Sequence, residues 1–376
     1  MSFHQRLCHE WMQQICALIP GQRVTRVRVL ALLALGVAQA MAATPQRAAL
    51  KLAGPGRQAA SLERRFWRWL ANPGVDAAAM WDAIAPELAA PWAGPEPLLV
   101  FDPTPIGTRF SGLVVSLVVG NRALPLAWVV VPQQVRWPSR MAPLLAKLLR
   151  RTLAVLPEGC RPTVLLDRGL AGPAVVDAVR DAGCEVVLRL RSGPNEALRV
   201  RTADGRERRV PELVDGPGQR WSAPAAIFKQ ARWREGWLTV WWGEGQREPL
   251  VLFSSRPGGY ARVREYKRRA GVEATYADLK TRGLKLESSR LRTAARLERL
   301  LVAVVLALWW LTLLGRRLIQ DGQRKLAEPK HRRLLSVLRL GEWWLDQHLL
   351  ADRMPPLPGA RRRPTALATA GGQSVR

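Results

Sequence analysis

The stretch Tyr266-Lys-Arg-Arg269-Ala-Gly-Val-Glu273-Ala-Thr-Tyr-Ala-Asp-Leu-Lys280 places four chemically unlike side chains at helical spacing. Tyr266, Arg269, Glu273 and Lys280 are separated by three, four and seven residues. Each residue of an α-helix advances about 100°, so the four fall within an arc of about 60°. A core stripe would be apolar, whereas this one carries a phenol, a guanidinium, a carboxylate and an ammonium. A carboxylate can hold a divalent cation, and the flanking cations and aromatic ring suit a polyanion that carries bases. The plainer alternative is an intrahelical ion pair between Arg269 and Glu273, four residues apart.

Composition points the same way. The chain has 376 residues, 58 Lys and Arg against 30 Asp and Glu, and a formal net charge of +28. That excess calls for a polyanionic partner, with nucleic acid ahead of anionic membrane. A hydrophobic content of 48% belongs to a folded protein rather than a disordered one. Cys8, Cys16, Cys160 and Cys184 include no Cys-x2-Cys pair and do not cluster with histidine, which argues against a zinc site or disulfide framework. Residues 23–43 imitate a signal peptide but start inside the chain, and they read as a buried helix. Leu300 to Gly315 is uncharged but shorter than the ~20 residues of a membrane span, so it reads as a core helix.

Upstream, residues 1–95 read as helical, with Ser61 as the N-cap of a short amphipathic helix that turns its arginines to one side. That arginine face is either a DNA contact or a solvated surface. Leu98-Leu-Val-Phe101 is an apolar run ending at Asp102 and broken by Pro103. Residues 111–119 and 123–131 continue as a strand meander. A helix over 141–156, a strand at Thr163–Leu166 ending at Asp167, a helix over 172–183 and a strand over 185–190 follow. Residues 192–247 carry hairpin signals and read as a β-rich insertion, from which the chain returns through Pro249–Phe253. Helical segments are expected around 294–315 and 329–351. The Pro-, Gly- and Arg-rich tail from Pro355 reads as disordered.

Three strands, then helix, strand, helix, strand is the order of a ribonuclease-H-like α/β core. The expected organisation is a helical domain at 1–95, a catalytic domain at 96–325 containing the insertion, and a C-terminal helical segment with a basic tail at 326–376. If the strands ending at Asp102 and Asp167 are parallel neighbours, both carboxylates emerge at one sheet edge, and the helix bearing Glu273 needs only to cross it.

The pattern Tyr-x2-Arg-x3-Glu-x6-Lys, together with Asp102-Pro-Thr104 and Asp167-Arg-Gly169, resembles the signature of a large family of bacterial insertion-sequence DDE transposases. In that family an aromatic residue commonly follows the glycine, whereas this chain has Leu170. The resemblance implies that Asp102, Asp167 and Glu273 are the catalytic carboxylates, holding two Mg2+ ions for which Mn2+ can substitute. Tyr266, Arg269, Lys280 and Arg168 would grip DNA. Trp237, Trp241 and Trp242 are candidates to stack on a displaced base, but neighbouring strand residues face opposite sides, so at least one would lie in the core. The implied enzyme binds double-stranded DNA, both the element's terminal repeats and its target, as a synaptic homodimer. It cuts by hydrolysis, joins the 3′-hydroxyl to target DNA, needs no further cofactor or membrane, and works in the bacterial cytoplasm at the nucleoid. Among other acids, Asp278 and Glu265 point away from the Glu273 face, and Glu287 lies beyond Gly283. The rival classes are a non-cleaving DNA-binding derivative, a ribonuclease-H-like nuclease without strand transfer, and a membrane-associated basic protein built on 300–315.

Overall fold

The structure is a computed structural model that describes residues 2–54, 58–133, 141–191, 198–329 and 331–358. It is a mixed α/β architecture organised on one ten-stranded sheet. Five helices come first: α1 Phe3–Leu18, α2 Val24–Ala40, α3 Pro45–Leu52, α4 Ala59–Ala71 and α5 Ala77–Ala89. Helix α2 is apolar on nearly every side and buried from Val27 to Ala38 apart from Arg28, the mark of a core helix. Ser61 is not a cap: α4 starts two residues earlier, behind Gln58, and Ser61 lies within it.

The sheet begins with the meander β1 Leu98–Ile106, β2 Phe110–Val119 and β3 Arg122–Pro132. Helix α6 Met141–Val155, β4 Thr163–Leu166, α7 Pro173–Asp181 and β5 Glu185–Leu190 follow. Strands β1, β4 and β5 are mutually parallel, whereas β2 runs antiparallel to β1 and β3. All ten residues of β2 are buried, so this part of the sheet is covered on both faces.

Asp102 differs in one respect from the sequence reading: β1 does not stop there but runs through Pro103 to Ile106. The parallel ladder with β4 ends at the pair Phe101–Leu166, and beyond it β1 pairs only with β2. Pro103 therefore sits where one side of the strand has no partner, and its missing N–H costs no ladder bond on that side.

The segment read as an insertion forms β6 Arg199–Thr202, β7 Glu207–Arg209, β8 Arg220–Ile227 and β9 Arg234–Trp241. These strands extend the same sheet through β10 Leu250–Ser254, which pairs antiparallel with β5. The sheet order is β3-β2-β1-β4-β5-β10-β9-β8-β6-β7. After it come α8 Tyr260–Lys267, a 3-10 turn over 268–270, α9 Gly271–Lys280, α10 Ala294–Gln320 and α11 Val337–Leu350.

Helix α10 is the 27-residue hub of the molecule. It packs on α2, α4, α5, α11 and β3, and Trp11 meets Trp310 with ring centres 4.4 Å apart. It is long and apolar enough to cross a membrane, but 83% of its apolar window is buried inside the protein. Residue 329 and residues 331–336 are not helical, because α11 starts only after Ser336, whose side chain accepts from the Arg339 N–H. The expected disorder from Pro355 fails for Pro355–Pro358, where the Trp310 indole donates to the Pro356 carbonyl at 2.8 Å. The remainder of the tail lies outside the described residues.

Candidate active site

Asp102 and Asp167 come together because β1 and β4 are parallel neighbours, each carrying its aspartate one residue past the last ladder pair. The helical stretch 260–280 lies across that edge. Its foundations are structural. The Thr275 hydroxyl donates to the Gly271 carbonyl at 2.9 Å and accepts from the buried Ala123 N–H at 3.1 Å. Gly271 lies against the β2–β3 turn, where an added Cβ would meet backbone atoms of Asn121 and Arg122 at 3.1 Å. Arg122 donates to Asp278 at 3.1 Å, and Ser336 donates to the other Asp278 oxygen at 3.2 Å. Asp278 is thus a fastening for α9. Glu265 is paired with Arg262 at 2.8 Å and Arg256 at 3.5 Å, while Glu287 is exposed near the far end of α9.

Arg269 is the centre of the site. Its guanidinium lies 2.7 Å from Asp102, 3.6 Å from Asp167 and 3.9 Å from Glu273. The Tyr266 hydroxyl donates to Asp167 at 2.9 Å, and the Tyr276 hydroxyl donates to the Asp102 backbone carbonyl at 3.1 Å. The Lys280 ammonium donates to the Thr104 hydroxyl at 2.6 Å.

The four signature side chains do not share one environment. Tyr266 is buried and the Arg269 side chain is 13% exposed, but that of Glu273 is 76% exposed. The 3-10 turn over 268–270 is one reason: three residues at about 120° instead of 100° rotate Tyr266 by about 60° relative to Glu273.

Electrostatics separate the two aspartates. Burial lifts the Asp102 carboxyl above the usual carboxylate range against the pull of Arg269, and repulsion from Asp167 and Glu273 adds to the rise. Burial also opposes the Asp167 charge. There, however, Arg269, the Arg168 backbone N–H, Tyr266 and Arg189 prevail and hold its carboxyl below the usual range. Burial works against the charge of Arg269, and Asp102, Tyr266 and Asp167 more than offset it. Burial lowers Lys280, with Glu287 and Asp102 opposing.

The donor set of Asp102, Asp167 and Glu273 is entirely oxygen, and all three already face one positive charge. By kind they suit a hard divalent cation. By spacing, no group of three acid, His or Cys side chains among the described residues stands close enough to hold one ion as arranged. The Arg269 Nε is buried with no hydrogen-bond partner, so its present position leaves part of its hydrogen-bonding capacity unused.

A cavity of about 430 Å³ opens beside the aspartates, lined among others by Arg189, Trp241, Glu248, Lys267, Arg269 and Glu273. Trp241 belongs to it, with the Lys267 ammonium 4.1 Å from its ring centre and Tyr260 behind it at 6.5 Å. Trp242 ties its indole N–H to the Gln246 carbonyl at 2.9 Å, and Trp237 lies among neither the cavity nor the core residues. All three are half-buried rather than fully enclosed: Trp237 and Trp241 lie on β9 and Trp242 just beyond it, and Trp241 and Trp242 pack against the core. Arg168 pairs with Glu248 at 3.4 Å, and Arg189 pairs with the same carboxylate at 3.0 Å. Sequence reasoning missed Arg189, Tyr276 and Lys267. Only the strand pairing that sets Arg189 at this edge, and the packing of α8 and α9 across it, could have exposed them.

No curated protein matches this chain. Among solved structures it is similar to the cryo-EM structure of the piggyBac transposase synaptic complex with hairpin DNA, with a TM-score of 0.39 and 10% identity, covering 90% of this chain and 76% of that one. Residues 93–310, more than half of the chain, match the family model described as "Transposase DDE domain", and the protein belongs to that family.

Proposed function

We propose that this protein is the transposase of a bacterial insertion sequence, acting at the nucleoid. In this reading it binds the element's terminal repeats as a synaptic homodimer, cleaves phosphodiester bonds and joins the freed 3′-hydroxyl to target DNA. Its core is ribonuclease-H-like, a reading supported by the order β1-β2-β3-α6-β4-α7-β5 and the parallel β1-β4-β5 centre. The helices before residue 96 would contact the DNA ends, and the C-terminal segment would complete the fold.

One observation carries the proposal. Asp102 and Asp167, at one edge of the parallel strands, are both engaged by Arg269 from the helix that also bears Glu273. Asp102, Asp167 and Glu273 are the residues to hold Mg2+, or Mn2+ in its place. Bound there, divalent ions would activate the attacking hydroxyl and stabilise the leaving oxygen.

The chain's own groups do the rest. Tyr266 fixes the Asp167 carboxylate by its hydrogen bond, and Tyr276 holds the β1 backbone at Asp102. In the DNA-free protein Arg269 neutralises the carboxylates. With DNA present, its planar fork suits phosphate oxygens near the reacting bond. Lys280 supplies a positive charge at Thr104, and Trp241 offers a ring in the cavity lined by Arg269 and Glu273.

The test is end cleavage in Mg2+ by wild type beside Glu273→Ala. The variant is expected to bind end DNA but cut at least about a hundredfold more slowly, the scale on which loss of a charge-stabilising group is felt. Equal cleavage by both would remove Glu273 from the site. Strand-transfer products on a target plasmid distinguish a transposase from a nuclease. The exposure of Glu273 favours one second reading, a DNA-binding derivative that no longer cuts, for which wild type would bind ends without nicking them.

A further inference from the structure

A second cleft flanks β1 on the side away from Trp241. It has a volume of about 300 Å³ and lies between the β1–β2 tip, Ile106–Phe110, and the segment that follows α9, residues 286–292. Three guanidinium groups line it, Arg109, Arg290 and Arg292, against a single acid, Glu287. All three arginines are exposed, and among the described residues none has an ion pair or side-chain hydrogen bond. The arginines nearer the sheet's centre differ: Arg122, Arg168, Arg189 and Arg269 all have carboxylate partners.

The walls are built rather than loose. Leu284, Leu286 and Leu291 anchor the segment in the core. Between them, Lys285 and Arg290 are held at φ of 51° and 52°, a left-handed conformation that L-residues seldom adopt. The Ser288 hydroxyl closes the turn on the Lys285 carbonyl at 2.7 Å. Opposite, Gly107 at φ 59° turns the hairpin, and the pair Ile106–Phe110 closes it. The apolar lining residues Phe110, Leu286, Leu291 and Leu297 are buried, so the cleft offers charge and no open aromatic face. Such a surface suits a sugar-phosphate backbone rather than stacked bases.

Asp102 and Ile106 are four residues apart on one strand, about 13 Å at ~3.3 Å per residue. A duplex rises about 3.4 Å per nucleotide along its axis, so with that axis laid along β1 the span corresponds to about four nucleotides. We propose that this cleft is a second DNA-backbone site, in which Arg109, Arg290 and Arg292 take phosphates about four nucleotides from the bond being broken. The proposal rests on the transposase reading above and adds to it a fixed path for the strand leaving the carboxylates.

The experiment uses the full chain and a labelled duplex carrying the element's own terminal repeat, with binding measured by anisotropy across a salt series. Replacing all three arginines by alanine is expected to make the slope of log K against log salt shallower by about two to three, near 0.9 per lost phosphate contact. The triple lysine variant should keep most of the slope. In wild type, neutral methylphosphonates around the fourth nucleotide from the cut should weaken binding, and the same substitutions should leave the alanine variant unaffected. A wild type that binds and cuts while the alanine variant keeps its slope would overturn the cleft alone. A wild type that neither binds nor cuts would overturn the transposase reading and the cleft with it. If the triple variant does not fold, the methylphosphonate scan on wild type decides: a flat profile overturns the proposal.

Discussion

Arg269 and Arg290 lie on opposite sides of the same strand edge and could hardly be housed more differently. Arg269 is largely buried and faces three carboxylates, whereas Arg290 is exposed and forms no ion pair among the described residues. The first arrangement is internally neutralised: a guanidinium offsets acids that burial would otherwise make costly. The second leaves positive charge for something outside the chain. In a protein of net charge +28, pairing rather than abundance separates the cations that hold the fold from those available to a ligand.

That contrast makes graded predictions. Arg122→Ala should have the largest effect, because it strands the buried Asp278 and unfastens α9. A loss of about 3 kcal/mol is expected in denaturant unfolding, limited because burial already raises the Asp278 carboxyl and eases its protonation. Arg269→Gln should cost about 2 kcal/mol by leaving three acids without their common cation. Added Mg2+ should raise the melting temperature of this variant more than that of wild type, and an equal response would show that Arg269 and the ion do not compete.

Asp177→Asn should cost under about 1 kcal/mol at neutral pH, since its two-pronged bond with Arg234 is partly exposed. Those hydrogen bonds, with burial opposing, hold the Asp177 carboxyl below its ordinary 3.8. A lowered folded value stabilises above the unfolded value and is lost as pH falls through the folded one. The gap between variant and wild type should therefore close below about pH 4, and a gap that widens in acid would refute the pairing. Arg290→Ala should be the mildest, within about 0.5 kcal/mol of wild type, as befits an exposed cation without a partner. A larger loss would mean that Arg290 belongs with the paired group.

Much of this was legible in the sequence for a physical reason: apolar runs and turn signals are local. The meander, the strand before Asp167 and the predominantly apolar helices α2 and α10 each announce themselves within a few residues. The continuation of β1 past Pro103 was not legible, since it depends on the neighbouring strand ending first. Nor was the partner of Arg269. The sequence presents Glu273 four residues on, whereas the nearer acid is Asp102, which only the crossing of α8 and α9 over β1 brings to 2.7 Å. The segment 192–247 looked separate because its hairpins are self-contained, but β10 joins them to β5 and makes one sheet.

The central position of α10 has a consequence for synthesis. Trp11 needs Trp310 as its neighbour, and α2 needs the same helix to cover its apolar surface. Chains emerge from the ribosome N-terminus first. The first five helices must therefore wait, with apolar surface uncovered, until about two to three hundred further residues have been translated. Arrested translation before residue 294 should yield a product that chaperones retain and proteases clear, so that premature termination leaves little competing fragment in the cell.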